Sequence, residues 1–199
     1  MTIRNKMKLW GYMLQDMKEP VSYLPQAVLI GLAAAAAGFF LLFIIKWIKK
    51  EPRIGRNRTA GEIALHICVL FLFAAYLTVL LQEAFFSRPP GSRTSVDMEL
   101  FGTWGHSPQG NAYVIENVIM FIPWGVLLPV LIRPFGRGAG AWLCILSGFL
   151  ASVSLETAQY LTQRGHCQLD DVVMNTLGTL AGWLIFKLLS CILFSRRSV

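Results

Sequence analysis

At 199 residues, with 55% apolar and 15% charged side chains and a mean hydropathy of +0.54, the chain is too apolar for an ordinary soluble fold and reads as a polytopic membrane protein. Its net charge of +7 does not point to nucleic acid, because the basic residues flank apolar runs instead of forming an aromatic-interleaved patch on a soluble surface. Cys68, Cys144 and Cys191 fall inside apolar runs and only Cys167 sits in a loop, so the cysteine spacing offers neither an intramolecular disulfide nor a zinc motif.

Residues 1–20 set Arg4, Lys6, Lys8 and Lys18 around Trp10, Tyr12, Met13 and Leu14. That pattern suits a short helix at the membrane surface, with a disordered tail as the alternative. A first span over residues 21–48 has an uncharged core from Val28 to Ile45, long enough to cross about 30 Å of hydrocarbon with its flanks. It runs on well past its alanine cluster, too far for a cleaved signal peptide, and is expected to be retained. The basic segment KWIKKEPRIGRNR follows, with Pro52 and Gly55 marking a loop.

The second span, residues 62–86, is interrupted only by His66, read as a packing residue, and by Gln82 and Glu83. A Pro-, Gly- and Ser-rich loop over residues 87–110 is long enough to fold over a site. The third span, residues 112–132, opens with Glu116 and Asn117 and holds Pro123 and Pro129, which free the carbonyls of Ile119 and Gly125 and favour a bend. The fourth and fifth spans cover residues 140–161 and 169–194, and Gly178-x-x-x-Gly182 lets the fifth approach a neighbour closely. The chain is therefore expected to be all-α, a bundle of about five transmembrane helices without internal repeats. Residues 1–61 supply an interfacial segment, a first helix and a basic cytoplasmic loop, and residues 62–199 supply a four-helix domain.

Five spans place the termini on opposite sides. Lys46, Lys49, Lys50, Arg53, Arg56, Arg58, Arg133, Arg137, Arg196 and Arg197 outnumber Arg4, Lys6, Lys8, Lys18, Arg88, Arg93 and Arg164 on the other side. The positive-inside rule then predicts an outside N-terminus and a cytoplasmic C-terminus, with the basic surplus on anionic lipid.

The stretch SLETAQYLTQRGHCQLDDVVMNTLGTLAG, residues 154–182, is dense in polar groups beside lipid-length segments. A charge inside a span costs roughly 2.5–3.5 kcal/mol on the insertion scale unless it finds a partner or water. Ser152, Glu156, Gln159 and Gln163 recur at steps of four, three and four on one helical face, and Asp171, Asn175, Gly178 and Gly182 share another. Glu116 and Asn117, Glu156, and Asn175 all fall about 6–9 Å inside the outer helix ends. The expectation is a polar, outward-facing pocket formed by Glu116, Asn117, Glu156, Gln159, Asp170, Asp171 and Asn175, with Arg164 in the turn and Arg88 or Arg93 reaching in from the loop. A simpler alternative pairs Glu156, Arg164 and Asp171 as a clamp between two helix ends. His106, His166 and Cys167 fit no standard metal spacing, so neither metal nor cofactor is expected.

ENVIMFIPWGVLLP, residues 116–129, and the stretch 154–182 resemble the two signature segments of the VanZ-like family of bacterial membrane proteins. The matching positions are Asn117, Phe121, Pro123 and Gly125, then Glu156, Gln159, Asp171, Asn175, Gly178 and Gly182. The resemblance spans roughly residues 62–190, making the first helix an addition to a four-helix core. It implies a bacterial plasma-membrane location and a role in teicoplanin or lipoglycopeptide resistance. It supplies no reaction.

Two readings stay open. In one, the pocket engages a lipoglycopeptide or a lipid-linked wall precursor, with membrane lipids as surroundings and no nucleic acid. In the other, Glu116, Glu156 and Asp171 act as acid, base or oxygen ligands of a divalent cation on a lipid-linked substrate.

Overall fold

The computed structural model describes residues 3–48, 59–91, 96–165 and 167–195. Within them run α1 (Ile3–Asp16), α2 (Lys18–Ser22), α3 (Leu24–Ile48), α4 (Ala60–Leu81), α5 (Pro108–Leu131), α6 (Gly140–Thr162) and α7 (Leu169–Ser195). A π-helical turn, Gln82–Phe86, extends α4, and a 3-10 turn, Arg133–Gly136, joins α5 to α6. Five helices, α3 to α7, are long and apolar enough to cross a bilayer, so the protein is a multi-pass helical membrane protein.

The helix ends follow from local chemistry. Thr59 caps α4 by accepting the Glu62 N–H, and Ser107 caps α5 by accepting the Gly110 N–H, with Pro108 at the first helical position. The Ser107 cap starts α5 four residues earlier than the apolar run suggests. Glu116 therefore lies about 12 Å inside its helix, deeper than Glu156 and Asn175 at about 9 Å. At the end of α6, Gln163 adopts a left-handed φ of 56° and is exposed, which removes it from the face shared by Ser152, Glu156 and Gln159.

The centre of the bundle is the α5–α7 interface, the most extensive among the described residues. A Cβ on Gly178 would collide with the Val118 carbonyl, one on Gly182 with the Ile122 carbonyl, and one on Gly125 with the Thr179 carbonyl. The GxxxG pair is thus consumed inside the chain, holding two backbones together. Helix α6 joins α7 where Gly148 receives the fully buried Thr179. Helix α3 packs chiefly on α4, with Gly31 and Gly38 receiving Phe71 and Leu70.

Two small features organise the end of the bundle that carries the long loop. Val96–Asp97 pairs in parallel with Cys167–Gln168, tying the loop to the α6–α7 turn. The amphipathic α1 packs against α5 and buries Met13. At the opposite end, Lys187 donates to the Gly136 carbonyl at 3.4 Å and lies over the Trp183 ring, while Arg133 and Glu62 form a half-exposed ion pair at 3.9 Å.

Replacing Gly182 by Val should destabilise the bundle by about 3 kcal/mol or prevent its assembly, because the new side chain meets backbone that cannot give way. Gly11→Ala, at an open position on α1, should leave stability unchanged. Reversible unfolding in detergent, followed by circular dichroism, compares the two.

Candidate functional site

Polar side chains from α5, α6, α7 and the end of α4 meet at the loop end of the bundle. On α6, Ser152, Glu156 and Gln159 are buried along one face, as their spacing predicts. Asn175 of α7 donates from Nδ2 to Ser152 Oγ at 2.8 Å, and Thr179 donates to the Asn175 carbonyl at 3.1 Å. One turn further out, Glu156 Oε2 accepts the Gln168 N–H at 3.0 Å. Gln159 donates from Nε2 to the Ala84 carbonyl in the π-helical turn, which links α6 to the end of α4.

Asn117 of α5 donates from Nδ2 to Asp171 Oδ1 at 2.6 Å, joining α5 and α7. Asp170, only 3% exposed, faces the long loop instead, where Oδ1 accepts the Phe101 N–H and Oδ2 accepts the Thr103 N–H at 3.2 Å. Asp170 thus anchors that loop, in which Phe101 holds a left-handed φ of 63°.

The arginines divide between contact and support. Arg88 is half-buried, attracts Glu83, Glu156 and Asp171, and brings Nη1 to within 2.8 Å of where a Gly165 side chain would begin. Gly165 leaves the space that the guanidinium uses. Arg164 donates from Nη1 to the Arg88 carbonyl at 2.9 Å and lies 5.0 Å over the Phe85 ring, bracing the segment that carries Arg88. In place of a clamp of Glu156, Arg164 and Asp171, Arg164 is engaged with the Arg88 carbonyl and the Phe85 ring, and Arg88 lies within electrostatic range of both acids. Arg93 and His166 lie outside the described residues.

Glu116 has a buried carboxylate oxygen without a hydrogen-bond partner and lies within electrostatic range of Asp16 and Glu83. Sequence reasoning missed Asp16 and Glu83 as members of this group. Glu83 interrupts an otherwise apolar span, which is a signal, whereas Asp16 is an ordinary polar residue of an amphipathic helix until α1 docks on α5. Among the described residues, no three His, Cys, Asp or Glu side chains are arranged to hold a metal ion. His106 is exposed, and His66 is half-buried and partnered.

Beside the polar cluster lies an apolar groove of about 350 Å³, lined by Phe101 and Trp104 from the loop, Val114, Ile115, Val118 and Ile119 from α5, and Met174 from α7. Val118 follows Asn117 in sequence and Met174 precedes Asn175, so groove and cluster share α5 and α7. The loop wall of the groove is the segment that Asp170 anchors.

A family model described as VanZ/LLP1 matches residues 67–190, which takes in Glu83, Arg88, Glu116, Asn117 and the whole α6–α7 cluster but not α1 to α3. No curated protein and no solved structure matches the chain.

Asp170→Asn removes one of two acceptors for loop amides and should cost about 2 kcal/mol, with faster hydrogen exchange at Phe101 and Thr103. Cys167 supplies a second check. Burial pushes its thiol above the usual range and the carboxylates of Glu156 and Asp171 push it further, so less thiolate is present at a given pH. Maleimide labelling of Cys167 should be slow at neutral pH and rise under alkaline conditions. Glu156→Gln should speed it at fixed pH.

Proposed function

The chain belongs to the VanZ/LLP1 family, and on that premise we propose that it engages an amphiphile at the loop end of its bundle, the polar head at the buried cluster and the apolar tail in the adjoining groove. The observation that carries this reading is the continuity of the two on α5 and α7: Asn117 and Asp171 bond across the same interface that lines the groove with Val118 and Met174. A polar site alone would suit a small solute, and an apolar groove alone is ordinary on a membrane protein. Together they match a ligand with both parts.

In the envelope of a bacterium such ligands include lipoglycopeptide antibiotics and lipid-linked wall precursors, and engagement of either lowers productive drug binding at the cell surface. Ligand contacts are assigned to Arg88, Glu116, Asn117, Glu156, Gln159, Asp171 and Asn175, with Arg164 and Asp170 bracing the site. The orientation that suits this role places the N-terminus and the loop end outside the plasma membrane and the C-terminus in the cytoplasm. An impermeant maleimide tests it: His106→Cys should label in intact cells and Arg137→Cys should not.

A second reading makes the protein an enzyme on the same ligand class. It is favoured by Glu156 and Asp171 lying within electrostatic range of each other beside Arg88, two carboxyl groups in unlike surroundings that suit an acid and a base. The two readings diverge in envelope lipid mass spectra from cells with and without the protein. Unchanged lipids with reduced binding of labelled teicoplanin support engagement, and a new lipid or precursor mass supports catalysis. Under either, Asp171→Asn and Glu156→Gln should reduce the effect at least tenfold while the protein still inserts; an unchanged phenotype in both variants would remove the cluster from the function.

A further inference from the structure

Residues 96–105 of the long loop turn apolar side chains outward and pair their amides inward. Val96, Met98, Leu100, Phe101 and Trp104 are all exposed, Met98 to 68% and the others to about half. No Lys or Arg occurs from Val96 to Tyr113. Asp170 holds the N–H groups of Phe101 and Thr103, Asp97 Oδ1 accepts that of Glu99 at 3.0 Å, the Glu99 carbonyl that of Gly102 at 3.4 Å, and Asn111 Oδ1 that of Gly105 at 2.6 Å. A loop in water leaves such amides to the solvent, and a carboxylate that is 3% exposed gains little by replacing it. Where water is scarce an unpaired amide is costly, so amides paired inward and apolar side chains outward are what a lipid environment requires.

The depth of the loop agrees. Phe101 and Trp104 line the groove together with Ile115, Val118 and Ile119, seven to eleven residues after Pro108 at the start of α5, and with Met174, five residues after Leu169 at the start of α7. At 1.5 Å per residue the α5 positions lie roughly 10–16 Å from the helix end. The 24 residues of α5 span about 36 Å, which exceeds about 30 Å of hydrocarbon by about 6 Å. Even with all of that excess at the loop end, the groove wall that the loop completes reaches roughly 4–10 Å below the hydrocarbon surface. Trp104 and Tyr113, both about half exposed, stand where interfacial aromatics collect, and the exposed Glu99 keeps part of the loop at the headgroups. Ile119, also half exposed, continues the apolar surface from the loop onto the wall that α5 turns to lipid.

We infer that residues 96–105 are seated in the lipid leaflet at the loop end of the bundle, with their apolar side chains among the upper acyl chains and Glu99 at the headgroups. Asp170 supplies from within the bundle the acceptors that water supplies to an ordinary loop. The groove then opens sideways to the leaflet, and an apolar tail enters it without crossing water. The inference does not depend on the amphiphile reading, since a loop seated in lipid surrounds the same fold whatever its ligand.

The test uses the full chain in nanodiscs, carrying Cys68→Ala, Cys167→Ala and Cys191→Ala and keeping the buried Cys144. A nitroxide is attached at Met98→Cys, at Leu100→Cys or, as the aqueous reference, at His106→Cys, all exposed positions. Collision with oxygen, which concentrates among acyl chains, is compared with collision with a water-soluble nickel chelate. The oxygen-to-nickel ratio at positions 98 and 100 is expected to exceed that at 106 at least fivefold. A smaller difference places the loop in water and overturns the inference. Little collision with either reagent at 98 and 100 means that protein, a second copy of the chain, covers them, and overturns it as well. In the unmodified chain, a phospholipid with a photoactivated diazirine near the top of its acyl chain should mark the peptide that holds residues 96–105; marking confined to the transmembrane helices would sink the idea.

Discussion

The backbone contact between α5 and α7 is the constraint on which the rest depends. Glycines at 178 and 182 let α7 lie against the carbonyls of Val118 and Ile122, and Gly125 does the same from the α5 side. Apolar packing between lipid-facing helices gains little from hydrophobicity, because lipid is as apolar as a neighbouring helix, so close van der Waals contact has to supply the attraction. That contact also sets a register. Gly178 sits at Val118 and Gly182 at Ile122, so the two helices run in parallel there, and Asn117 and Asp171 add a side-chain hydrogen bond across the same interface.

The same register carries the third helix. Thr179 is wholly buried where Gly148 of α6 receives it, and one turn outward Asn175 meets Ser152. A further turn outward, Glu156 accepts the Gln168 N–H and closes the α6–α7 turn onto its own helix. Polar pairs therefore rise along the α6–α7 seam from the middle of the bundle to its loop end. Each pair offsets the desolvation cost of its own members.

Much of this could be read in the sequence because it is periodic. Ser152, Glu156 and Gln159 lie on one buried face as helical spacing predicts, whereas of the α7 set Asp171, Gly178 and Gly182 meet α5 and Asn175 meets α6. What periodicity does not contain is which face meets which. Asn117 and Glu116 are adjacent, so they point about 100° apart, and only the packing decides that it is Asn117 that meets α7. Gln163 fits the α6 pattern on paper but falls at a left-handed cap where the pattern no longer applies. Asp170 reads as half of an acidic pair, yet it holds a loop whose amides lie some seventy residues away in sequence. Local patterns cannot report a contact of that separation.

The acidic group at the α1–α5 junction spans a boundary in the chain. Glu83 and Glu116 belong to the segment that matches the VanZ/LLP1 family, whereas Asp16 lies in the N-terminal part that precedes it. The core supplies two carboxyl groups with buried, unpartnered oxygens, and α1 adds a third beside them. Docking a like charge there opposes the packing that buries Met13, so the seat of α1 and the charge state of Glu116 are thermodynamically linked.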